Sequence, residues 1–307
     1  MDLNTANLQI LTTGVQAIYQ NAFNAYAPEV IYQRLCTENT STTSEEIYPW
    51  LGQSTGFREW AGDRVMQNLS VHSYAIKNKK FENSVSIPRD AVEDDRYGVF
   101  NPMFAQLGKD ASEHPDVLTF QALQNAGTLL CYDGLPFFSN AHPGKTAAKR
   151  NTTYSNDMGG AGATWYLLCT KQVIKPLMYQ KRRPYNFTAL VDLKDPNVFK
   201  RDEFDFGVDG RSNVGFGLWQ TAIRSQQPLT AANYEAARVQ MMSFLRDNGQ
   251  PWNLVPDTLL VGPSNEGAAK TIIEGQTIVV LAGDGGAAPS NIWKGTAEVL
   301  MTPRITW

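Results

Sequence analysis

Cysteine and histidine are scarce in this chain, with three of each in 307 residues: Cys36, Cys131, Cys169, His72, His114 and His142. The cysteines are odd in number and widely separated, and no histidine or cysteine is paired at zinc-ligand spacing. That excludes a disulfide framework and a zinc-finger pattern, and predicts reduced, buried thiols. Charge is thin as well. Charged residues make up 19% and the formal net charge is -3, so there is no global basic field of the kind that grips nucleic acid, although local patches remain. No apolar run reaches the roughly 18 residues that span a bilayer, and Met1-Asp2-Leu3-Asn4 lacks a secretory leader's basic and apolar regions. A soluble, cytosolically made protein without a membrane partner is expected. Nucleotide signatures are incomplete too. His142-Pro143-Gly144-Lys145-Thr146 ends like a phosphate loop, but position 139 is Ser where the loop needs Gly. Gly207, Gly210, Gly215 and Gly217 do not form the dinucleotide fingerprint and read as turn glycines.

What is present is enough apolar material, 42%, for one large domain or two smaller ones. Gly56 to Asp95 is the most informative stretch. Asn68 to Ile76 places Leu69 and Val71 opposite Ser70, His72 and Tyr74, while Phe81 to Ile87 alternates Phe81, Val85 and Ile87 with Glu82, Ser84 and Ser86. Lys77-Asn78-Lys79-Lys80 between them reads as a charged, hydrated reversal, and Pro88 ends the pairing. Such a ribbon is too poor in apolar residues to fold on itself, so it is expected to lie on a neighbouring subunit. An ordinary hairpin folded on its own domain is the default alternative.

The rest predicts alternating helices and strands. Leu8, Leu11, Val15, Ile18 and Tyr19 recur at helical spacing and predict an N-terminal helix that docks on a distant part of the fold or on another subunit. Thr37 to Glu46 reads as an exposed polar connector. Asn101-Pro102 opens a helix carrying Met103, Phe104, Leu107 and Ala111, and Pro115 divides this from Val117, Leu118, Gln121 and Leu123 before Gly127. One kinked helix or two abutting ones are expected. Thr230 to Asn248 is another helix, and Pro256 to Pro263 a buried strand feeding a helix from Ser264 to Ile273. Trp165 to Cys169, Tyr185 to Val191, Gly215 to Gln220, Ile278 to Ala282 and Ala297 to Met301 read as strands. The class is α+β.

Chemistry-bearing residues are few. Cys131, His142 and Asp133 are the only nucleophile, base and orienting acid within one local segment, yet no oxyanion hole is recognisable beside them, and a buried structural cysteine is the default. Glu93-Asp94-Asp95 and Asp202-Glu203-Asp205 offer oxygen ligands for a divalent cation, but such runs ordinarily face basic residues or solvent. Lys145, Lys149 and Arg150 form one basic patch and Lys181-Arg182-Arg183 another, without interleaved aromatics for stacking bases. Arg58 to Glu82 holds five basic and three acidic residues, and acidic Asp90, Glu93, Asp94 and Asp95 follow. One subunit's basic ribbon is suited to another's acidic base.

Gly56-Phe57-Arg58-Glu59-Trp60, Asn78-Lys79-Lys80-Phe81-Glu82, Ile87-Pro88-Arg89-Asp90 with Asp94-Asp95, and Phe137-Phe138-Ser139-Asn140-Ala141-His142-Pro143 form an ordered series. It continues through Tyr179-Gln180-Lys181-Arg182, Gly207-Val208-Asp209-Gly210-Arg211 and Leu218-Trp219-Gln220. Over nearly the whole chain this resembles the Mu-like bacteriophage major head subunits, the gpT family, which carry the Hong-Kong-97-like phage capsid fold. The resemblance implies an N-terminal arm (1–50), an extended E-loop (51–95) and a mainly peripheral domain (96–255) with a spine helix (101–126). It also implies a mainly axial domain (256–290) and a return strand to the core (291–307).

It implies a structural protein, not an enzyme, with no cofactor and no metal. The chain would assemble with itself into pentamers and hexamers, forming an icosahedral virion shell around double-stranded DNA held without sequence specificity, in the host bacterial cytoplasm. With no extra N-terminal segment to act as a fused scaffold, scaffold and portal are expected as separate proteins, and a decoration protein as a further partner. The expected inter-subunit residues are Arg58, Trp60, Arg64, Lys77, Lys79, Phe81, Arg89, Asp94 and Asp95, with Trp60 and Phe81 as apolar anchors and the charges setting register. A Lys–Asn cross-link at Lys77-Asn78-Lys79 is the exceptional reading and a hydrated tip the ordinary one. The rivals are an encapsulin-like compartment of the same architecture and a soluble hydrolase using Cys131, Asp133 and His142.

Overall fold

A computed structural model describes residues 3–49, 51, 74–94, 96–277 and 290–305. The chain opens with α1 (Thr5–Tyr26), capped by the Asn4 side chain accepting the Asn7 amide at 2.9 Å. α2 (Tyr32–Leu35), β1 (Cys36–Thr40), β2 (Glu45–Ile47), β3 (Ala75–Lys77), β4 (Lys79–Pro88), α3 (Arg89–Glu93) and α4 (Asn101–Gln124) follow. Four short strands come next: β5 (His142–Lys145), β6 (Asn151–Tyr154), β7 (Asp157–Gly160) and β8 (Trp165–Leu168). The long strands β9 (Leu177–Leu190) and β10 (Glu203–Phe216) flank α5 (Pro196–Arg201). β11 (Ala222–Gln226), α6 (Ala231–Met242), β12 (Thr258–Val261), α7 (Glu266–Ile273) and β13 (Glu298–Met301) complete the described elements.

Two sheets organise the α+β fold: a four-stranded one in the order β1-β9-β10-β4 and a five-stranded one in the order β13-β12-β8-β11-β7. From Glu203 to Val214 β10 alternates: Phe204, Phe206, Val208 and Val214 are buried while Glu203, Asp205, Asp209 and Arg211 are partly exposed. That inner face meets α1 and α4. Phe104 of α4 stands edge-on to Phe206 with ring centroids 5.1 Å apart, and Leu8, Leu11 and Val15 of α1 complete the cluster. α1 lies so close to α4 that a Cβ on Gly108 would sit 2.3 Å from the Tyr19 carbonyl oxygen. The expectation that α1 docks on a distant element is met within the chain. A larger cluster, centred on β8, β11, β12, Trp219 and Tyr234, underlies the five-stranded sheet.

Several sequence expectations are corrected. The ribbon's described portion is not a hairpin: β3 and β4 are separated by Asn78 alone and pair with different partners. β3 pairs antiparallel with β2, and β4 pairs over ten residues with β10 of the same body, from Lys79 opposite Ser212 to Pro88 opposite Glu203. Asn78 is buried, not a hydrated tip. Its side-chain amide donates to Ser41 Oγ (2.8 Å) and the Thr43 carbonyl (3.0 Å), and its oxygen accepts from Gln180 Nε2 (2.9 Å). The first arm before Tyr74 lies outside the described residues. Part of the polar Thr37 to Glu46 run is β1, parallel to β9, because an edge strand buries only alternate side chains. Gly207, Gly210 and Gly215 lie inside β10, not in turns. A Cβ on Gly210 would meet the Tyr185 ring at 2.7 Å and one on Gly215 would meet Ile76 at 2.4 Å, so close lateral approach is what excludes side chains there.

α4 is one continuous helix through Pro115, and it starts from a 3-10 turn at Tyr97–Phe100, so Asn101 is helical and not its cap. α6 stops at Met242, short of Asn248, because the chain turns Phe244 into the ring faces of Trp219 and Tyr154. The Ile278 to Ala282 run lies outside the described residues.

Gly108→Ala should destabilise the unassembled protein by about 1–3 kcal/mol, because the overpacked carbonyl contact exceeds the roughly 1 kcal/mol gained in helix propensity. Guanidinium unfolding checks this. Wild-type stability would mean that α1 and α4 separate freely.

Candidate assembly surface and the buried Cys131 cluster

Pairing β4, β10 and β9 gathers charges that are far apart in sequence. Lys79 and Lys80 stand opposite Ser212 and Arg211, and Arg211 and Ser212 stand opposite Arg183 and Lys181. A basic band results, with Lys77, Lys79, Lys80, Lys181, Arg182 and Arg183 exposed. Asp209 pairs with Arg183 within it. Pro184, which has no amide to donate, sits where the β9–β10 register shifts. Nine residues along β10, about 30 Å away at strand rise, the sheet ends among Asp90, Glu93, Asp94, Asp202, Glu203 and Asp205. Arg89 stands against this acidic end, bonding Glu93 at 2.9 Å and lying 3.6 Å from Asp202. These acidic runs therefore face a basic residue and solvent, as such runs ordinarily do. The sheet carries opposite charge at its two ends.

Of the expected interface residues, Lys77, Lys79 and Asp94 are exposed, and Phe81 and Arg89 are half-buried. Arg58, Trp60, Arg64 and Asp95 lie outside the described residues. Phe81 packs edge-on to His114 of α4 at 4.4 Å, on a cleft of about 200 Å³ whose walls include Leu107, Ala111, Tyr185 and Val208. The Tyr185 hydroxyl, its pKa raised by burial, hydrogen-bonds His114 Nδ1. Burial also lowers the His114 pKa, which favours the neutral imidazole. Glu82 and Asp110 face the same cleft.

Cys131, Asp133 and His142, in the loop after α4 and at the start of β5, do come together, with one donor atom from each inside a 4.8 Å span. The Cys131 thiol donates to Asp133 Oδ1 at 3.0 Å, and His142 Nδ1 lies 2.6 Å from Asp133 Oδ2. The imidazole stacks on Trp219 at 4.2 Å, and its Nε2 lies 3.2 Å from the Phe137 carbonyl. This order is wrong for a nucleophile and its base. The carboxylate sits between thiol and imidazole, both ring nitrogens are engaged elsewhere, and burial followed by the Asp133 charge pushes the thiol pKa up, away from the reactive thiolate. Asp133 is pulled up by its own burial, but hydrogen bonds from His142 and Cys131 outweigh this and hold it below the usual carboxylate range. All three cysteines are free and buried, as expected. The fragment His142–Lys145 is a strand paired with β6, not a phosphate loop.

Two buried polar centres escaped the sequence reading. Asp116, inside α4, accepts the amides of Ile31 (3.0 Å) and Tyr32 (2.6 Å) and so caps α2. A carboxylate on the apolar side of a helix was the available signal. Gln180 joins Tyr48 (2.8 Å), the Ile76 carbonyl (2.9 Å) and Asn78 (2.9 Å).

This architecture is that of a tailed-phage capsid subunit of the Hong-Kong-97-like class. It superposes on a chain of the procapsid of bacteriophage JBD30 with a TM-score of 0.81 and 36% identity, covering 98% of this chain and 100% of that one. The sequence profile of the Mu-like prophage major head subunit gpT matches residues 8–305, and the chain belongs to that family. It is 32% identical to the major capsid protein of Escherichia phage Mu over 307 residues, covering 98% and 99% of the two chains. It is 37% identical to the Mu-like prophage FluMu major head subunit of Haemophilus influenzae over 270 residues, covering 86% of each. The protein is a major head subunit, a structural component of the virion shell. Neither a cellular compartment nor a hydrolase is favoured by these likenesses. Among the described residues no helix is long and apolar enough to cross a membrane.

A group held neutral in the fold loses stability to acid. With its folded pKa depressed, the His114 contribution is complete above the unfolded value of about 6.5 and is lost as pH falls through the folded pKa. His114→Gln, which does not titrate and can still hydrogen-bond Tyr185, should flatten the decline in the urea midpoint between about pH 7 and about pH 5. An unchanged slope would remove His114 from the acid response.

Proposed function

We propose that copies of this chain close into an icosahedral shell of pentamers and hexamers around double-stranded DNA, assembled in the host bacterial cytoplasm. Membership of the major head family carries this reading, and the opposed charges of the long sheet support it. A surface that is basic at one end and acidic at the other favours unlike-to-unlike contacts, and such heterologous contacts close into rings when the rotation between copies permits. Each surface ion pair is worth only about 0–1 kcal/mol, so repetition around a ring supplies the strength. In this assignment Arg58, Trp60, Arg64, Lys77, Lys79 and Phe81 of one subunit meet Arg89, Asp94 and Asp95 of another. Phe81 offers only the part of its ring that His114 leaves open.

Residues 1–50 then serve as the N-terminal arm, 51–95 as the E-loop and its base, and 96–255 as mainly peripheral, with the spine helix at 101–126. Residues 256–290 are mainly axial and 291–307 return to the core. Connections weave between the two bodies, since β12 and β13 share a sheet with β7, β8 and β11. Scaffold, portal and decoration proteins are separate partners, DNA is held without sequence preference, and no enzymatic role or cofactor belongs to the subunit. The Asn78 amide, consumed by Ser41, Thr43 and Gln180, is not offered to a lysine, so mature particles should give a monomer band on denaturing electrophoresis. A ladder of covalent multimers would overturn that statement.

The charge assignment has its own test. Lys77→Glu with Lys79→Glu should abolish closed shells in negative-stain micrographs, and adding Asp94→Lys should restore them in part. Normal shells from the first variant would refute the contact.

A further inference from the structure

The cleft beside Phe81 carries negative charge that no cation among the described residues answers. Its floor is apolar, formed by Leu107 and Ala111 of α4 and Val208 of β10, and its rim holds the carboxylates of Glu82 and Asp110. Both accept from neutral groups, Glu82 from Ser84 Oγ at 2.9 Å and Asp110 from Gln106 Nε2 at 2.6 Å. Neither makes an ion pair among the described residues. At about 200 Å³ the cleft is smaller than the roughly 300–1,000 Å³ of small-molecule sites and matches a protruding side chain instead. An apolar hollow between two unanswered carboxylates selects an apolar group flanked by cations.

α5 presents such a group. Phe199 is 86% exposed, the most exposed aromatic side chain among the described residues, because the short helix turns Asn197 and Val198 inward instead. Lys200 and Arg201 follow it in the last turn, both exposed and neither ion-paired among the described residues. The ring does not fill the cleft of its own subunit: Val208 lies roughly 17 Å along β10 from Glu203, where the chain has left α5. A knob and a hollow at different places on one molecule join copies head to tail.

We propose that Phe199 of one subunit seats in the Phe81 cleft of a second copy, with Lys200 and Arg201 against Glu82 and Asp110. The seat depends on the head-to-tail contact proposed above, which already sets Phe81 of one copy against Arg89 of another. Arg89 lies 3.6 Å from Asp202, the residue that caps α5, so the knob stands at that same end of the sheet. Within the contact the charges set register and Phe199 is the apolar anchor.

A disulfide tests the seat. The double variant Lys200→Cys/Glu82→Cys leaves the Phe199 ring in place, and the three native cysteines are buried. Oxidised shells of this variant should run as a covalent ladder on non-reducing denaturing gels and collapse to monomer on reduction, while either single variant stays monomeric. Normal shells that give only the monomer band would mean that something else fills the cleft, a small ligand or another protein. That result overturns the seat and leaves the charge contact standing. A ladder from the pair, alongside normal shells from Lys77→Glu with Lys79→Glu, would support the seat and remove the charge contact. Should the cysteine pair block assembly, Phe199→Ser against Phe199→Leu decides. About tenfold fewer shells from the serine variant, with wild-type numbers from the leucine variant, support the seat, and equal yields overturn it.

Discussion

The constraint on which the rest depends is that β10 stays extended for fourteen residues while being crowded on both edges and one face. On one edge it pairs with β4 and on the other with β9, both antiparallel, and its apolar face carries α1 and α4. Glycine is what makes that crowding feasible. At Gly210 the Tyr185 ring, and at Gly215 the Ile76 side chain, occupy the space a Cβ would fill. The conformational entropy lost by fixing glycine is offset only if neighbours gain contact, and Tyr185 gains it by reaching His114 across the bulge at Pro184. The strand then runs directly into Gly217, Leu218 and Trp219, whose indole stacks on His142. One element thereby links the four-stranded sheet to the aromatic cluster beneath the five-stranded one.

Buried polar groups fix how the remaining pieces attach. Asn78 sits at the one-residue joint between β3 and β4 and holds the 41–44 turn on one side and Gln180 of β9 on the other. Gln180 in turn holds Tyr48. An unmade bond in such a network costs about 1–3 kcal/mol, more than the bond itself contributes, so the network specifies one register rather than adding much stability. Asp116 does the same for α2. Each tie spans from tens of residues to more than a hundred in sequence, which makes the fold rich in non-local contacts.

That non-locality explains what the sequence did and did not disclose. Helices announce themselves locally: the stripe Leu8, Leu11, Val15, Tyr19 and that of Phe104, Leu107, Ala111 lay where the periodicity put them. Short buried strands such as Trp165–Leu168 and Thr258–Val261 were equally legible as apolar runs. The β10 segment was not, because its outward positions are mostly charged or polar and its inward ones include Gly210 and Ser212; only the partner strands reveal why glycine is there. The ribbon was misread for a related reason. Alternation in Phe81 to Ile87 identifies a strand, but nothing in it says whether the partner is the preceding arm, β10, or another molecule. Conversely, Cys131, Asp133 and His142 were correctly picked as the one local constellation, but their order in space, with carboxylate between sulfur and imidazole, is set by loop packing that spacing does not encode.

The opposed charges of the long sheet bear on how such a subunit stays soluble before it assembles. Among the described residues β4 is the edge of its sheet, and an unprotected edge pairs indiscriminately. Lysines at one end of β4 and proline with its acidic neighbours at the other discourage in-register pairing with a second β4, since parallel in-register stacking would set like charge against like at both ends. A shifted or end-to-end approach meets no such penalty. The same charges therefore oppose aggregation and favour ordered contact, and because exposed charges are screened over about 8–10 Å at physiological ionic strength, the preference acts only once copies are already close. That short range suits a subunit that associates with copies of itself in one geometry.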